Sequence, residues 1–526
     1  MTFCACGPGG LPPGNGHLGS GGTGGGGPID PNGADAGTWE GDPVSCSHAA
    51  QTHTYVGCDF WPTVLPNVVK SYFDFAVVVA NAGSNPAHIT IERGGAPVAA
   101  GDVGPNAAEK FFLPWVADLK HFTALCDTDP TQQVGPLDQS KRVPGGAYHL
   151  VSSEPVTVFQ FNPLEYKGQG GPPGKSWAGC SSCWPGCNSY TNDASLLLPS
   201  TALTGSYVVP AQSGIATSEI NAPGYIAVTG LQNATSISVK VGARGAVQAG
   251  GGIASTSAGG ITTFPIDRGE VVLLVGTPET DLGGTLLKAD HPVQVMTGMP
   301  HTYLPFDRQS SDHIEEVVLP VETLGKHYFV VRPTGPNGNV VPQMVRFFGT
   351  TDGTNLAYPA GTPAGAPAHL GAGEVADLGL VDLDFEVTAD QGFEIATYML
   401  GQTIVDPSLA GRGDPSQSTV ASVEQYRKKY VFLAPDDYDF SYADVVVPTG
   451  ASLTLDGAPV PAMRMPLSAG LAVTRVMLGA GNQGAHVLES DQEFGLQIMG
   501  YGFATSYQYP GGLNLRGIAP PLPDIY

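Results

Sequence analysis

From Asp59 onward, apolar and polar residues alternate with a period of two in short runs broken by Gly, Pro, Asn and Asp. "HITIERGG" (88–95), "TSISVKVG" (235–242) and "ASLTLDGAP" (451–458) are examples, each followed by a glycine-bearing turn. Successive side chains of a strand point to opposite faces, so this alternation predicts half-buried strands joined by tight turns. The first 45 residues differ: "GPGGLPPGNGHLGSGGTGGGG" has almost no apolar content and reads as a flexible spacer.

The strand pattern repeats. Four segments close on a similar phrase: "YHLVSSEPVTVFQF" (148–161), "TLLKADHPVQVMTGM" (285–299), "DFEVTADQGFEIATYM" (384–399) and "AHVLESDQEFGLQIMGYG" (485–502). Anchored on Ser153, Asp290, Asp390 and Asp491, they are spaced by 137, 100 and 101 residues. Openings recur as well, at Tyr72, Tyr207, Tyr328 and Tyr430. Repeats of this kind predict one structural unit used several times. The expected organisation is a leader over 1–45, β module 1 over 46–165, a Cys-rich insert over 166–194, module 2 over 195–307, module 3 over 308–405, an inter-module loop over 406–421, module 4 over 422–515 and a tail over 516–526.

The predicted fold class is therefore all-β, with four tandem antiparallel modules. Six or so strands per module need two faces of sheet to bury their alternating side chains, which favours β-sandwiches. The alternative is one closed β-propeller in which each module supplies two blades.

Composition agrees, since 72 glycines and 46 prolines suit turns and break helices. A formal charge of −24 repels phosphate backbones and disfavours nucleic acid as a partner. No apolar run approaches the roughly 18–20 residues of a membrane span. Eight cysteines, an even number, suit disulfides in an oxidising compartment. No apolar signal segment follows Met1, so two readings stand: an exported chain with Cys6 in "FCAC" as a lipid-bearing residue, or a cytosolic chain with reduced thiols. The tether-like leader favours export to the cell surface or beyond.

Four longer phrases carry a family resemblance: "TNDASLLLPSTALTGSYVV" (191–209), "DHIEEVVLPVETLGKHYFVV" (312–331), "GDPSQSTVASVEQYRKKYVFLAP" (413–435) and "YGFATSYQYPGGLNL" (501–515). In these the chain resembles the IgGFc-binding protein N-terminal domain family, from about residue 46 to 515. The resemblance implies an extracellular, non-enzymatic interaction module, whose partner would be a protein or glycan. The family's namesake binds the Fc part of immunoglobulin G. No short Fc-contact motif transfers residue by residue, so IgG Fc is not assignable as this chain's partner, and self-association stands as a further expectation.

Several local features invite chemistry. In "GCSSCWPGCNSY" (179–190), Cys180, Cys183 and Cys187 supply three thiolates without an evident fourth zinc ligand, so disulfides are favoured, one closed locally and the third cysteine reaching Cys126. Cys46 and Cys58 form a second natural pair. "DPNGADAG" (30–37) is an incomplete calcium loop. "SDHIEE" gathers Asp312, His313, Glu315 and Glu316, either a metal cluster or the polar edge of the strand that follows. Tyr501, Phe503, Tyr507 and Tyr509 fall on alternate positions and would offer sugars a stacking platform, or pack across strands. Finally, Arg412, Gly413 and Asp414 spell an adhesion tripeptide within the expected loop 406–418, which would expose it; Asp before Pro equally makes a turn. No H-E-x-x-H, G-x-S-x-G or phosphate-binding loop is present, and no catalytic residue, cofactor or metal is expected.

Overall fold

The computed structural model describes residues 41–122, 136–182, 186–218, 220–308, 310–406, 408, 410–461, 463–479 and 484–525. It is all-β, with 48% of residues in strands and 6% in helices. Four antiparallel blades surround a common axis in a propeller-like arrangement. This is the closed-propeller alternative with one blade per module in place of two.

The innermost strands are Ala194–Leu197, Ser311–Val317, Ser416–Thr419 and Thr505–Pro510, each packed beside the next, with the fourth returning to the first. Outward from them run the closing segments Tyr148–Phe161, Val293–Tyr303, Phe393–Met399 and Gly484–Gly502. Beyond those lie Phe75–Asn81, Tyr225–Gly230, Gln343–Gly349 and Phe440–Pro448.

Each closing phrase serves two sheets. Its second half pairs within the blade, while its first half pairs with an opening strand in a further sheet: Gly57–Phe60 on Tyr148–Phe161, Ser206–Val208 on Leu286–Ala289, His327–Val330 on Phe385–Ala389, and Arg427–Ala434 on Gly484–Gly502. Apolar cores collect around these sheet pairs, for example Val239, Phe264 and Leu287 in the second repeat and Val345, Phe347 and Phe385 in the third. The alternating pattern thus builds sandwich-like units whose inner sheets are the blades.

The repeat anchors have a physical reason. Ser153 Oγ accepts the N–H of His88 at 2.9 Å, and the carboxylates of Asp290, Asp390 and Asp491 accept those of Ser236, Asn355 and Ser452 at 2.8, 2.8 and 2.7 Å. One side-chain oxygen therefore locks the same inter-strand corner in every repeat. The opening tyrosines recur too. The Tyr207 hydroxyl accepts the N–H of Thr204 and donates to Val293 O at 2.6 Å; Tyr328 does the same with Gly325 and Phe393 O at 2.5 Å. Tyr430 bonds Arg427 and Phe494 likewise. The first repeat departs from expectation. Its opening strand is Gly57–Phe60, and Tyr72 lies in the connection before Phe75–Asn81, the third strand of the first blade from the axis.

Strands also cross the expected module limits. Lys141–Val143 pairs with Val271–Val275 of the second blade, and Ser416–Thr419 lies inside the segment 406–421 expected as a loop. Among the described residues two disulfides are formed, Cys46–Cys58 and Cys180–Cys187. Cys126, Cys183, the proposed anchor Cys6 and the 30–37 loop lie outside the described residues.

Candidate functional site

Chemistry concentrates on the axis. Three of the four innermost strands are entered or led by an aspartate: Asp193, Asp312 and Asp414, with Thr505 in the fourth. All three aspartates are at most 1% exposed, and Glu315 and Glu316 are fully buried beside them.

These carboxylates tie the blades together. Asp193 Oδ1 accepts the Ser416 hydroxyl at 2.6 Å, and its Oδ2 accepts the N–H groups of Glu315 and Gln417 at 3.0 Å each. One side chain from blade 1 thereby holds the innermost strands of blades 2 and 3. Asp312 Oδ2 accepts the Thr505 hydroxyl at 2.9 Å, joining blade 2 to blade 4. Asp414 donates its N–H to Ser506 Oγ at 2.9 Å, joining blades 3 and 4. Glu315 Oε1 accepts the Gln160 amide at 3.0 Å and the Ser195 hydroxyl at 3.2 Å, while Oε2 faces His313 Nε2 at 3.1 Å. Glu316 Oε2 accepts the N–H of Thr419 at 3.2 Å.

Burial raises the carboxyl groups of Asp193, Asp312, Asp414 and Glu316 well above the usual carboxylate range. The charge of Asp414 raises Asp312 further. Such groups serve as protonated or shared-proton hydrogen-bond partners, and the result is a polar plug where a propeller has a central channel. Among the described residues no group of three or more His, Cys, Asp or Glu side chains is placed to hold a metal ion. The polar edge expected for "SDHIEE" is corrected by burial: Asp312, His313, Glu315 and Glu316 are enclosed and form the interior hub.

The adhesion tripeptide is corrected as well. Arg412 forms an isolated bridge with Phe503, its Nε reaches Asp439 Oδ2 at 3.3 Å, and its guanidinium sits over Phe440 at 5.0 Å. Gly413 (φ +100°) donates its N–H to Gly502 O, and a Cβ there would meet Val405 Cγ2 at 2.7 Å. Asp414 faces the axis. Asp414 is buried and the partly exposed Arg412 is held against Asp439 and Phe440, so the tripeptide presents no free loop tip.

The aromatic platform meets the same fate. Tyr501, Tyr507 and Tyr509 are at most 1% exposed: the fourth innermost strand, which carries Tyr507 and Tyr509, is covered on both faces, and Tyr501 is enclosed on the closing strand Gly484–Gly502 beside it. Their hydroxyls donate to Thr334 O at 2.7 Å, Ser441 Oγ at 3.0 Å and Leu433 O. Tyr509 packs against Phe159 of blade 1 at 4.9 Å between ring centroids. Phe503 alone of the four keeps appreciable exposure, at 37%. The signal for the hub was present in the sequence as "NDAS", "SDHI" and "GDPS", the same aspartate at the head of three equivalent strands.

The family model described as IgGFc binding protein matches residues 193–500. That span runs from the first axial aspartate to Gly500 within the last closing strand. Among curated proteins none matches the chain. Of the solved structures, an anti-sigma factor domain-containing protein from Clostridium clariflavum shares 11% identity, with 63% of this chain and 95% of that one covered at a TM-score of 0.11. A Corynebacterium diphtheriae protein described as membrane anchored shares 9% identity, covering 65% and 96% at a TM-score of 0.08. Scores this low carry no argument about the fold.

Proposed function

The chain belongs to the IgGFc binding protein family, a family of binding domains, and from that premise we propose that it is an exported or cell-surface protein that binds an extracellular protein or glycan without catalysis. One observation carries the reading: the axial carboxylates, the densest chemistry among the described residues, are sealed and hydrogen-bonded to neighbouring blades. Recognition then falls to the outer surfaces and seams of the blades, as suits a macromolecular partner. The Cys46–Cys58 and Cys180–Cys187 disulfides support an oxidising compartment. No helix among the described residues is long and apolar enough to cross a membrane.

The test is capture by the oxidised full chain of IgG Fc, mucins and a glycan array, with light scattering run in parallel. Saturable capture of at least one class is the expected result. Failure of all three, together with concentration-dependent assembly of the protein alone, would replace this reading with a self-assembling coat component.

A further inference from the structure

Where the first and fourth blades meet, a cavity of about 330 Å³ opens beside the edge strand Ala107–Leu113, the 435–437 turn and the glycine-rich segment that begins at residue 168. Its lining includes three apolar side chains, Phe112, Leu164 and Pro435, and three carboxylates, Glu165, Asp436 and Asp437. Part of this charge is already engaged. Lys110 pairs with Asp436 Oδ2 at 2.6 Å, and Asp437 Oδ2 accepts the N–H groups of Tyr166 and Lys167 at 2.8 Å each. Glu165 Oε2 accepts the N–H of Asp74 at 3.1 Å.

Two oxygens are left over. Glu165 Oε1 and Asp436 Oδ1 are both buried and accept no hydrogen bond, and Glu165 as a whole is 4% exposed. Lys175 Nζ stands 3.7 Å from Glu165 Oε1, beyond hydrogen-bond reach, with its ammonium held on Asp74. Gly171 lets the chain pass close to this oxygen without supplying a donor: it has φ +86°, and a Cβ there would lie 2.7 Å from Oε1. A buried carboxylate oxygen without a donor is unfavourable, so a group bringing N–H donors and positive charge gains most at this place. The apolar lining gives a methylene stem somewhere to lie.

We propose that this seam binds an alkylammonium group, with its head at Glu165 and Asp436 and its stem against Phe112, Leu164 and Pro435. The group comes from a free amine or from a lysine side chain of a partner protein. Burial pushes the Glu165 carboxyl up to about 7 against the pull of Lys175, and Asp74 adds to the rise. Asp436 and Asp437 add further negative charge to the cavity lining, opposed by Lys110. An arriving ammonium favours the ionised carboxylate, so binding strengthens as pH rises from 6 to 8, a range in which an alkylamine itself stays protonated.

The experiment is titration calorimetry of the full chain with n-butylammonium chloride, N-acetyl-lysine-N-methylamide and n-butanol. n-Butylammonium is expected to bind more tightly at pH 8 than at pH 6, and n-butanol not at all. Glu165→Gln and Asp436→Asn should each weaken binding about tenfold, as loss of a charge-assisted hydrogen bond does. Binding of n-butylammonium without the blocked lysine assigns the site to free amines; binding of both supports a lysine-bearing partner. The proposal is overturned if butanol binds as well as butylammonium, if no amine binds, or if Asp436→Asn, a substitution at a partly exposed side chain, leaves affinity unchanged. Capture of Fc, mucin or glycan is a separate readout, so failure here leaves the functional reading standing.

Discussion

At the scale of single residues, the axis is the most demanding part of the molecule. Asp414 is buried with Oδ1 unpartnered, and burial holds its carboxyl well above the ordinary range. A carboxyl whose folded pKa is raised keeps its proton in the native state at pH values where the unfolded chain has lost it. The folded state then binds more protons, so this stability is present below the unfolded carboxyl pKa and falls as pH rises above it. Asp193, Asp312 and Glu316 contribute with the same sign. Asp59 and Asp281 oppose it: both are lowered against the effect of burial, Asp59 by hydrogen bonds from His149 and Ser200 and Asp281 by Arg346, and their stability is lost as pH falls through their folded pKa. Asp414→Asn removes the titration while keeping the shape. Urea midpoints at pH 5 and pH 8 should differ less in this variant than in the parent chain; an unchanged difference would mean that Asp414 is ionised in the fold. The residue types were legible in "GDPSQS", but their burial was not, because a polar run between repeats reads as a loop unless the ring of blades is known.

At the scale of elements, the repeat lies in its corners more than in its faces. The tyrosine that opens a repeat accepts an N–H three residues earlier and donates to the closing segment, so it fixes the register between two non-adjacent strands. Tyr207→Phe and Tyr328→Phe should each lower stability by about 1–3 kcal/mol, since each leaves buried backbone groups unpaired. Placed in different repeats, the two losses should add in the double variant, as measured by equilibrium denaturation. The anchors Ser153, Asp290, Asp390 and Asp491 were readable as a pattern, and the structure supplies their shared hydrogen bond. The phrase "SYFDFAVVV" resembles the other openings in composition, but its strand Phe75–Asn81 stands third from the axis in the first blade, so Tyr72 does not open the first repeat. The aromatic strand 505–510 was legible as a strand, but its burial on both faces follows from its place at the axis.

At the scale of the whole molecule, the four units are not beads on a string. Lys141–Val143 joins the second blade, Asp193 holds the innermost strands of blades 2 and 3, and Arg427, fully buried, bonds Asn514 at 2.9 Å and pairs with Asp42. Asp42, near the start of the described residues, is thereby drawn onto the fourth repeat. Such sharing predicts one cooperative thermal transition in calorimetry for the described region; several resolved transitions would mean that the repeats fold independently. It also explains why the sandwich reading and the propeller reading each captured part of the fold: every repeat has two sheets, and only one of them faces the axis.

The sequence by itself determined the all-β class, the fourfold repeat and its anchors, and the family, because these rest on local alternation, turn chemistry and recurring phrases. Only the tertiary structure decided which polar residues are free to meet a partner. Closing four blades on one axis buries aspartates, glutamates and tyrosines whose local sequence is that of exposed loops and strand edges. The adhesion tripeptide thereby becomes part of a seam, and two buried carboxylate oxygens are left without a hydrogen-bond donor where the first blade meets the last. Exposure is a property of the closed ring, and no window of the chain contains it.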